Sequence, residues 1–229
     1  YTDDKITESV ETTGSKTILK VHLGDKTFLW EPFSNNYTKV YAVRRNLYKN
    51  KYGNKVIFEE VNEDLELTFR YQWNTSDVYG FVKKSTIVNN SNTQIRVTVL
   101  DGLQNIVPYG VGSELQNSFS NLVDAYKKNE LQTDTGIGIF ALSAIIVDKA
   151  EPSEALKSSI VWSIGLENSK YLLSSRQLDQ FRKGISIEQE TYVKAEKGAY
   201  FNVSELELAD HKKHEWMFIA NVNQSISDV

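Results

Sequence analysis

The stretch Leu65-Glu66-Leu67-Thr68-Phe69-Arg70-Tyr71-Gln72-Trp73 alternates apolar residues with polar or charged ones without a break. Successive side chains of a strand leave on opposite faces. One face here is therefore apolar and the other wets, as in an antiparallel sheet packed on one side. The same period of two recurs in both directions. Lys16 to Leu23 reads as a strand turned by Gly24-Asp25 into Thr27-Phe28-Leu29-Trp30, and Val40 to Tyr48 returns through a polar loop holding Gly53-Asn54 into Val56-Ile57-Phe58. Tyr79 to Val88 and Gln94 to Leu100 follow, joined by Asn89-Asn90-Ser91-Asn92, residues suited to turns. The last third predicts further strands over Ser159 to Leu166, Ile185 to Val193, Ala199 to Leu208 and Glu215 to Ala220. Many short strands separated by polar turns make the fold class mainly all-β, a large antiparallel sandwich.

Two segments depart from that pattern. Phe119, Leu122, Val123 and Tyr126 stand at helical spacing, which predicts a helix over Asn117 to about Asn129, with Asn117 or Ser118 capping its start. A shorter helix is expected over Ser175 to Arg182, with Leu178 and Phe181 on one side and Gly184 ending it. Between them the apolar run Ile137 to Val147 reads as a strand buried on both faces. Only three prolines occur in the 229 residues and no Pro/Gly/Ser-rich linker divides them, so residues 1–229 read as a single domain with an irregular lead-in over 1–15. The start at Tyr1 and a C-terminal stretch that still carries recurring apolar residues read as a piece excised from a longer protein.

Composition excludes several functions. With 26 Lys+Arg against 30 Asp+Glu the net charge is −4, which argues against nucleic acid or an anionic membrane as the main partner. No apolar run reaches the roughly 20 residues of a membrane span. Zero cysteines leave no disulfide, thiolate metal site or cysteine nucleophile, and leave the compartment open between cytoplasm and periplasm. His22 lies on the polar face of its strand, and the pair His211 and His214 is flanked by Lys212 and Lys213, so no metal site and no cofactor is expected. A G-x-S-x-G nucleophile turn is missing, and Gly110-Val111-Gly112 and Gly136-Ile137-Gly138 read as turn or bulge positions. Glu59-Glu60, Glu63-Asp64 and Asp101 are numerous enough for paired-carboxylate sugar chemistry, but sequence gives no separation between them.

Aromatic residues beside amides and carboxylates suit a sugar, whose ring faces stack and whose hydroxyls need fixed donors and acceptors. Tyr71 and Trp73 share one strand face, and Trp30, Tyr79, Tyr109, Trp162 and Trp216 fall near strand ends. The stretch Asp101-Gly102-Leu103-Gln104-Asn105-Ile106-Val107-Pro108-Tyr109-Gly110-Val111-Gly112 is too apolar for a solvated loop and too irregular for a strand, and is expected to be a loop held against another surface. Candidate substrate-binding residues are Asp101, Gln104, Asn105, Tyr109, Trp73 and Trp162, with no catalytic residue among them.

Tyr79-Gly80-Phe81-Val82-Lys83-Lys84-Ser85-Thr86-Ile87-Val88-Asn89, followed by Val97-Thr98-Val99-Leu100-Asp101 and the stretch through Gly110, resembles the N-terminal β-supersandwich domain of large bacterial enzymes similar to cellobiose phosphorylase. The likeness is strongest over Val40 to Gly112. It implies a galactose-mutarotase-like sandwich with one or two inserted short helices, preceding a helical (α/α)6 barrel of the same polypeptide that holds the catalytic acid. The chain itself is then a non-catalytic accessory domain of a glycoside phosphorylase or hydrolase. It faces the barrel through Asp101 to Gly112 and has an oligosaccharide as partner. Apolar patches that dock on the barrel would favour a homodimer of the isolated chain. The competing readings are a free-standing mutarotase-like sugar epimerase, which would need an acid and a base across one pocket, and a simple carbohydrate-binding module.

Overall fold

Gly24 adopts φ 58° in the two-residue link that closes β1 (Gly14–Leu23) onto β2 (Lys26–Trp30), the backbone geometry a tight hairpin requires. From there the computed structural model, which describes residues 10–37, 39–118, 120–144, 156–225 and 227–229, is mostly strand. The run continues with β3 (Val43–Lys49), β4 (Val56–Asn62), β5 (Leu67–Ser76), β6 (Gly80–Asn89) and β7 (Ile95–Ile106). Two short helices, α1 (Ser113–Ser118) and α2 (Ser120–Tyr126), lead into β8 (Lys127–Gln132), β9 (Ile137–Leu142), β10 (Ser158–Ile164) and β11 (Lys170–Leu172). A third helix, α3 (Leu178–Arg182), precedes β12 (Tyr192–Lys194), β13 (Gly198–Leu208) and β14 (Lys213–Gln224).

These strands form two antiparallel sheets, one of five strands in the order β11-β13-β7-β1-β2 and one of nine in the order β12-β8-β9-β10-β14-β6-β5-β4-β3. Their apolar faces meet in the main core. Leu19 and Val21 of β1 and Val97, Val99 and Leu103 of β7 face Leu67 and Phe69 of β5 and Trp216 and Phe218 of β14. Burying a side chain of this kind stabilises by roughly 1.5–3 kcal/mol. A second cluster lies on the outer face of the five-stranded sheet, where Leu178 and Phe181 of α3 pack with Ile18, Leu100 and Phe201. Gly184 ends that helix at φ 75°.

The structure corrects four expectations. Asp101 to Ile106 is not loop but the second half of β7, and only the residues after Ile106 leave the sheet. The strand continues there because β1 and β13 pair with it on both sides: Asp101 lies opposite Thr17 and Asn202, and Gly102 opposite Lys16 and Phe201. That close pairing explains the glycine, since a Cβ on Gly102 would stand 1.9 Å from the Tyr200 carbonyl oxygen. The helix expected over Asn117 to Asn129 starts earlier, in two pieces, and stops at Tyr126, because Lys127 to Gln132 pairs with β9; Phe119 and the proposed cap side chains lie outside the described residues. Strand β9 is not buried on both faces but alternates, Phe140 inward and Ile139 only partly covered, and residues 145–147 of the expected run lie outside the described residues. Of the strand expected over Ile185 to Val193, only Tyr192 and Val193 pair, as the start of β12. Among the described residues no helix is long and apolar enough to cross a membrane.

Candidate functional site

Period-two alternation carries a charge into the core. Val97, Val99, Asp101 and Leu103 point the same way, so Asp101 enters the space between the sheets, fully buried. Its carboxylate accepts from Lys83 Nζ at 2.6 Å and from Thr17 Oγ1, Ser85 Oγ and Trp216 Nε1 at 2.7 Å each. Lys83 is equally buried, donates also to the Gly102 carbonyl at 3.2 Å, and lies 5.2 Å from the Phe218 ring centroid. Burial pushes the Lys83 ammonium below its ordinary value, against the opposing pull of Asp101. Burial likewise raises the Tyr71 hydroxyl to about 12. No ligand in solvent reaches Asp101, whose four donors come from three strands of both sheets, so it is a structural link rather than a contact to sugar.

The other candidate residues do not converge. Gln104 is buried on the outer face of the five-stranded sheet, with Nε2 making no hydrogen bond. Asn105 adopts φ 56° and donates to Thr13 Oγ1 at 3.3 Å. Trp73 lies on the inner face of the nine-stranded sheet, beside Phe81 and Ala220 on an apolar shelf. Trp162 lies on the opposite face of that sheet, its ring edge-on to Tyr79 at 6.5 Å. Tyr109 is 43% exposed, with Lys157 Nζ 5.4 Å from its ring centroid. Trp30 and Trp216 are core residues.

Trp162 instead shares a surface that sequence reading missed, the outer face of the nine-stranded sheet, and Tyr109 meets it only through Lys157. Pairing fixes which side chains share it: Glu130 lies opposite Ile139, Ile139 opposite Ile160, Trp162 opposite Ile219, and Ile219 opposite Val82. A groove of 680 Å³ opens there. Lys128, Glu130 and Gln132 of β8 form its polar wall, Ile137 and Ile139 of β9 its apolar floor, and Lys157, which bonds Asn223 Oδ1 at 2.5 Å, its rim. Lys128 and Glu130 pair at 3.0 Å, and Tyr192 lies beside them under Lys128 and Lys194, at 5.9 and 5.1 Å from its ring centroid. The volume suits a small ligand. The signal was present in the alternation Asn129-Glu130-Leu131-Gln132, but the helical spacing before it absorbed its first residues.

The remaining buried carboxylates are paired. Glu31 takes Lys16 and both arms of Arg182, at 3.0 and 2.9 Å; Glu60 takes Arg45 at 2.6 Å, Trp30 Nε1 at 2.8 Å and the Phe33 amide at 2.8 Å; Glu59 takes Arg70, Asn46 and Tyr48. The histidines each serve a local bond: His22 to Thr27 and Thr98, His211 to Asn92, and His214 to the Gly165 carbonyl. Among the described residues no three His, Asp or Glu side chains are grouped to hold a metal ion.

No protein-family model and no curated protein sequence matches the chain. Solved structures do. A polysaccharide lyase is 10% identical with a TM-score of 0.50, covering 94% of this chain and 26% of its own length. A protein described as a kojibiose phosphorylase from the human microbiome is 11% identical with a TM-score of 0.41, covering 91% of this chain and 23% of its own. A galactose mutarotase-like protein from Clostridium acetobutylicum is 10% identical with a TM-score of 0.42, covering 98% and 83%. The chain thus spans about a quarter of the lyase's length. At such identities the likeness is one of fold, and that fold is a β-sandwich found among carbohydrate-active enzymes, the company the sequence resemblance implied.

Proposed function

We propose that this chain is a non-catalytic, glycan-binding sandwich domain of a larger carbohydrate-active enzyme, working beside a helical (α/α)6 barrel of the same polypeptide. The observation that carries the reading is its coverage: nearly the whole chain matches about a quarter of a polysaccharide lyase. The site supports it. The groove on the nine-stranded sheet offers an apolar floor with amide, ammonium and carboxylate groups along one wall, as sugar rings and hydroxyls require. A general acid must hold and release a proton. Here Glu31, Glu59, Glu60 and Asp101 are each engaged by cations and hydrogen-bond donors, which suits a scaffold. Whether the parent enzyme uses phosphate or water belongs to the barrel.

The test is titration of the isolated chain with oligosaccharides, alongside assays for glycan cleavage, phosphorolysis and anomer interconversion. Binding at millimolar or better affinity that Gln132→Ala and Tyr109→Ala each weaken, with no turnover, is the expected result. Turnover by the isolated chain would overturn the accessory role, and binding untouched by both substitutions would move the site elsewhere.

A further inference from the structure

The acidic chain contains one strongly basic stretch. Residues 32–58 hold Lys39, Arg44, Arg45, Lys49, Lys51 and Lys55 and no Asp or Glu. Folding places most of them in the β3–β4 hairpin at the edge of the nine-stranded sheet, where Arg44, Lys49, Lys51 and Lys55 are exposed and Tyr52 is 82% exposed with Lys51 beside its ring. Next to that hairpin, on the sheet face already described, lies a second groove of 310 Å³. Lys55, Arg70, Lys84 and Lys213 surround it, Ile57 and Val88 floor it, and Gln72 and Thr86 supply polar groups between them. Four cations share two carboxylates there. Arg70 pairs with Glu59, Lys84 and Lys213 each reach Glu215 at 3.0 Å, and Lys55 has no carboxylate at ion-pair distance among the described residues.

We propose that this groove and the adjoining hairpin bind an acidic glycan, an oligosaccharide carrying carboxylate or sulfate groups. The proposal rests on the glycan-binding reading above and names its substrate class. The excess cations fix the sign of the ligand. Duplex DNA, with one charge per roughly 1.7 Å of its axis, calls for a long basic track. These cations instead ring a groove of one or two sugar residues, with an apolar floor for ring faces. Gln72 and Thr86 can bond hydroxyls, and Glu215 can accept from one. Hydrogen bonds from Lys84 and then Lys213 hold the Glu215 carboxyl below its ordinary value, so it stays an acceptor.

The experiment is calorimetric titration of the full chain with oligogalacturonate, a chondroitin sulfate oligosaccharide, a neutral cello-oligosaccharide, a short DNA duplex and phosphatidylserine vesicles, at low and high salt. One of the two acidic glycans should bind, the better one identifying the anion. Its affinity should fall about tenfold in Lys55→Gln/Lys213→Gln, the effect of losing two surface charge contacts, and fall again with salt. The control pair Lys26→Gln/Lys183→Gln, exposed lysines on other elements, should leave it unchanged, with melting curves showing that both variants fold. Equal binding of the neutral sugar would overturn the acidic-glycan assignment and leave the domain a glycan binder. DNA or vesicles binding as tightly as the acidic glycans would overturn it too. Absence of binding to every glycan would overturn this proposal and the reading beneath it together.

Discussion

Removing the Asp101 carboxylate would leave Lys83 fully buried without its counter-ion, along with three other donors that lose their acceptor. Breaking a buried ion pair on one side costs about 3–5 kcal/mol, whereas replacing both partners by apolar groups is often neutral. Asp101→Ala should therefore lower urea-unfolding stability by about that amount, and Asp101→Leu/Lys83→Met should recover part of it, the Thr17, Ser85 and Trp216 donors still lacking an acceptor; equal losses in the two variants would refute the pairing. Beside it, Gly102→Ala would force a Cβ against the Tyr200 carbonyl, backbone that cannot swing away, and should cost about 3 kcal/mol or more in the same assay. Sequence showed that Asp101 was unusual but not why. Its phase with Val97, Val99 and Leu103 was readable, as was that of Lys83 with Ser85 and Ile87. Which charge meets which across two sheets follows from how the sheets stack, and no repeat along the chain records that.

At the scale of elements, α3 shows how little helix is needed when its apolar side is well placed. Five residues seat Leu178 and Phe181 on the small sheet, Lys20 Nζ stands 4.0 Å from the Phe181 ring centroid, and Arg182 grips Glu31. Phe181→Ala should cost about 3–5 kcal/mol in urea unfolding, since a buried ring leaves a cavity there; a loss below 1 kcal/mol would mean that the helix only rests on the sheet. Strands were the most legible elements, β1, β2, β6, β10 and β13 falling close to their expected places, because alternation against a core face reports itself. The misreadings cluster where one pattern runs into another without a turn. Strand β8 begins at Lys127, immediately after Tyr126, so helical spacing continued over a residue already paired in a sheet. That junction also hid Glu130 and Gln132, and with them the larger groove.

For the whole molecule, several carboxylates are held ionised by their partners. Burial works to raise Glu11 and Glu59, but Lys16, the Asn35 amide and Ser34 outweigh it at the first, and Asn46, Arg70 and Tyr48 at the second, leaving both below the ordinary value of 4.5. A depressed carboxyl contributes stability that is present in full above its unfolded value and disappears as pH falls through the folded one. The urea midpoint should thus decline below about pH 4.5, and Glu59→Gln, less stable near neutrality, should show a shallower decline; parallel curves would remove Glu59 from the account. That two sheets would form was legible from the strands. Their division into five and nine was not, because neighbours such as β1 and β7 are set by pairing over distances at which the sequence carries no periodic signal.

The late strands β13 and β14 have a consequence for biosynthesis. Each sits inside its sheet, β13 between β11 and β7, and β14 between β10 and β6. While the chain is being made, at roughly 5–20 residues per second, β7 and β6 wait with one edge open until those last strands leave the ribosome. Neither sheet can close in the order of synthesis, and the nascent protein must keep its first hairpins from pairing with strangers for several seconds.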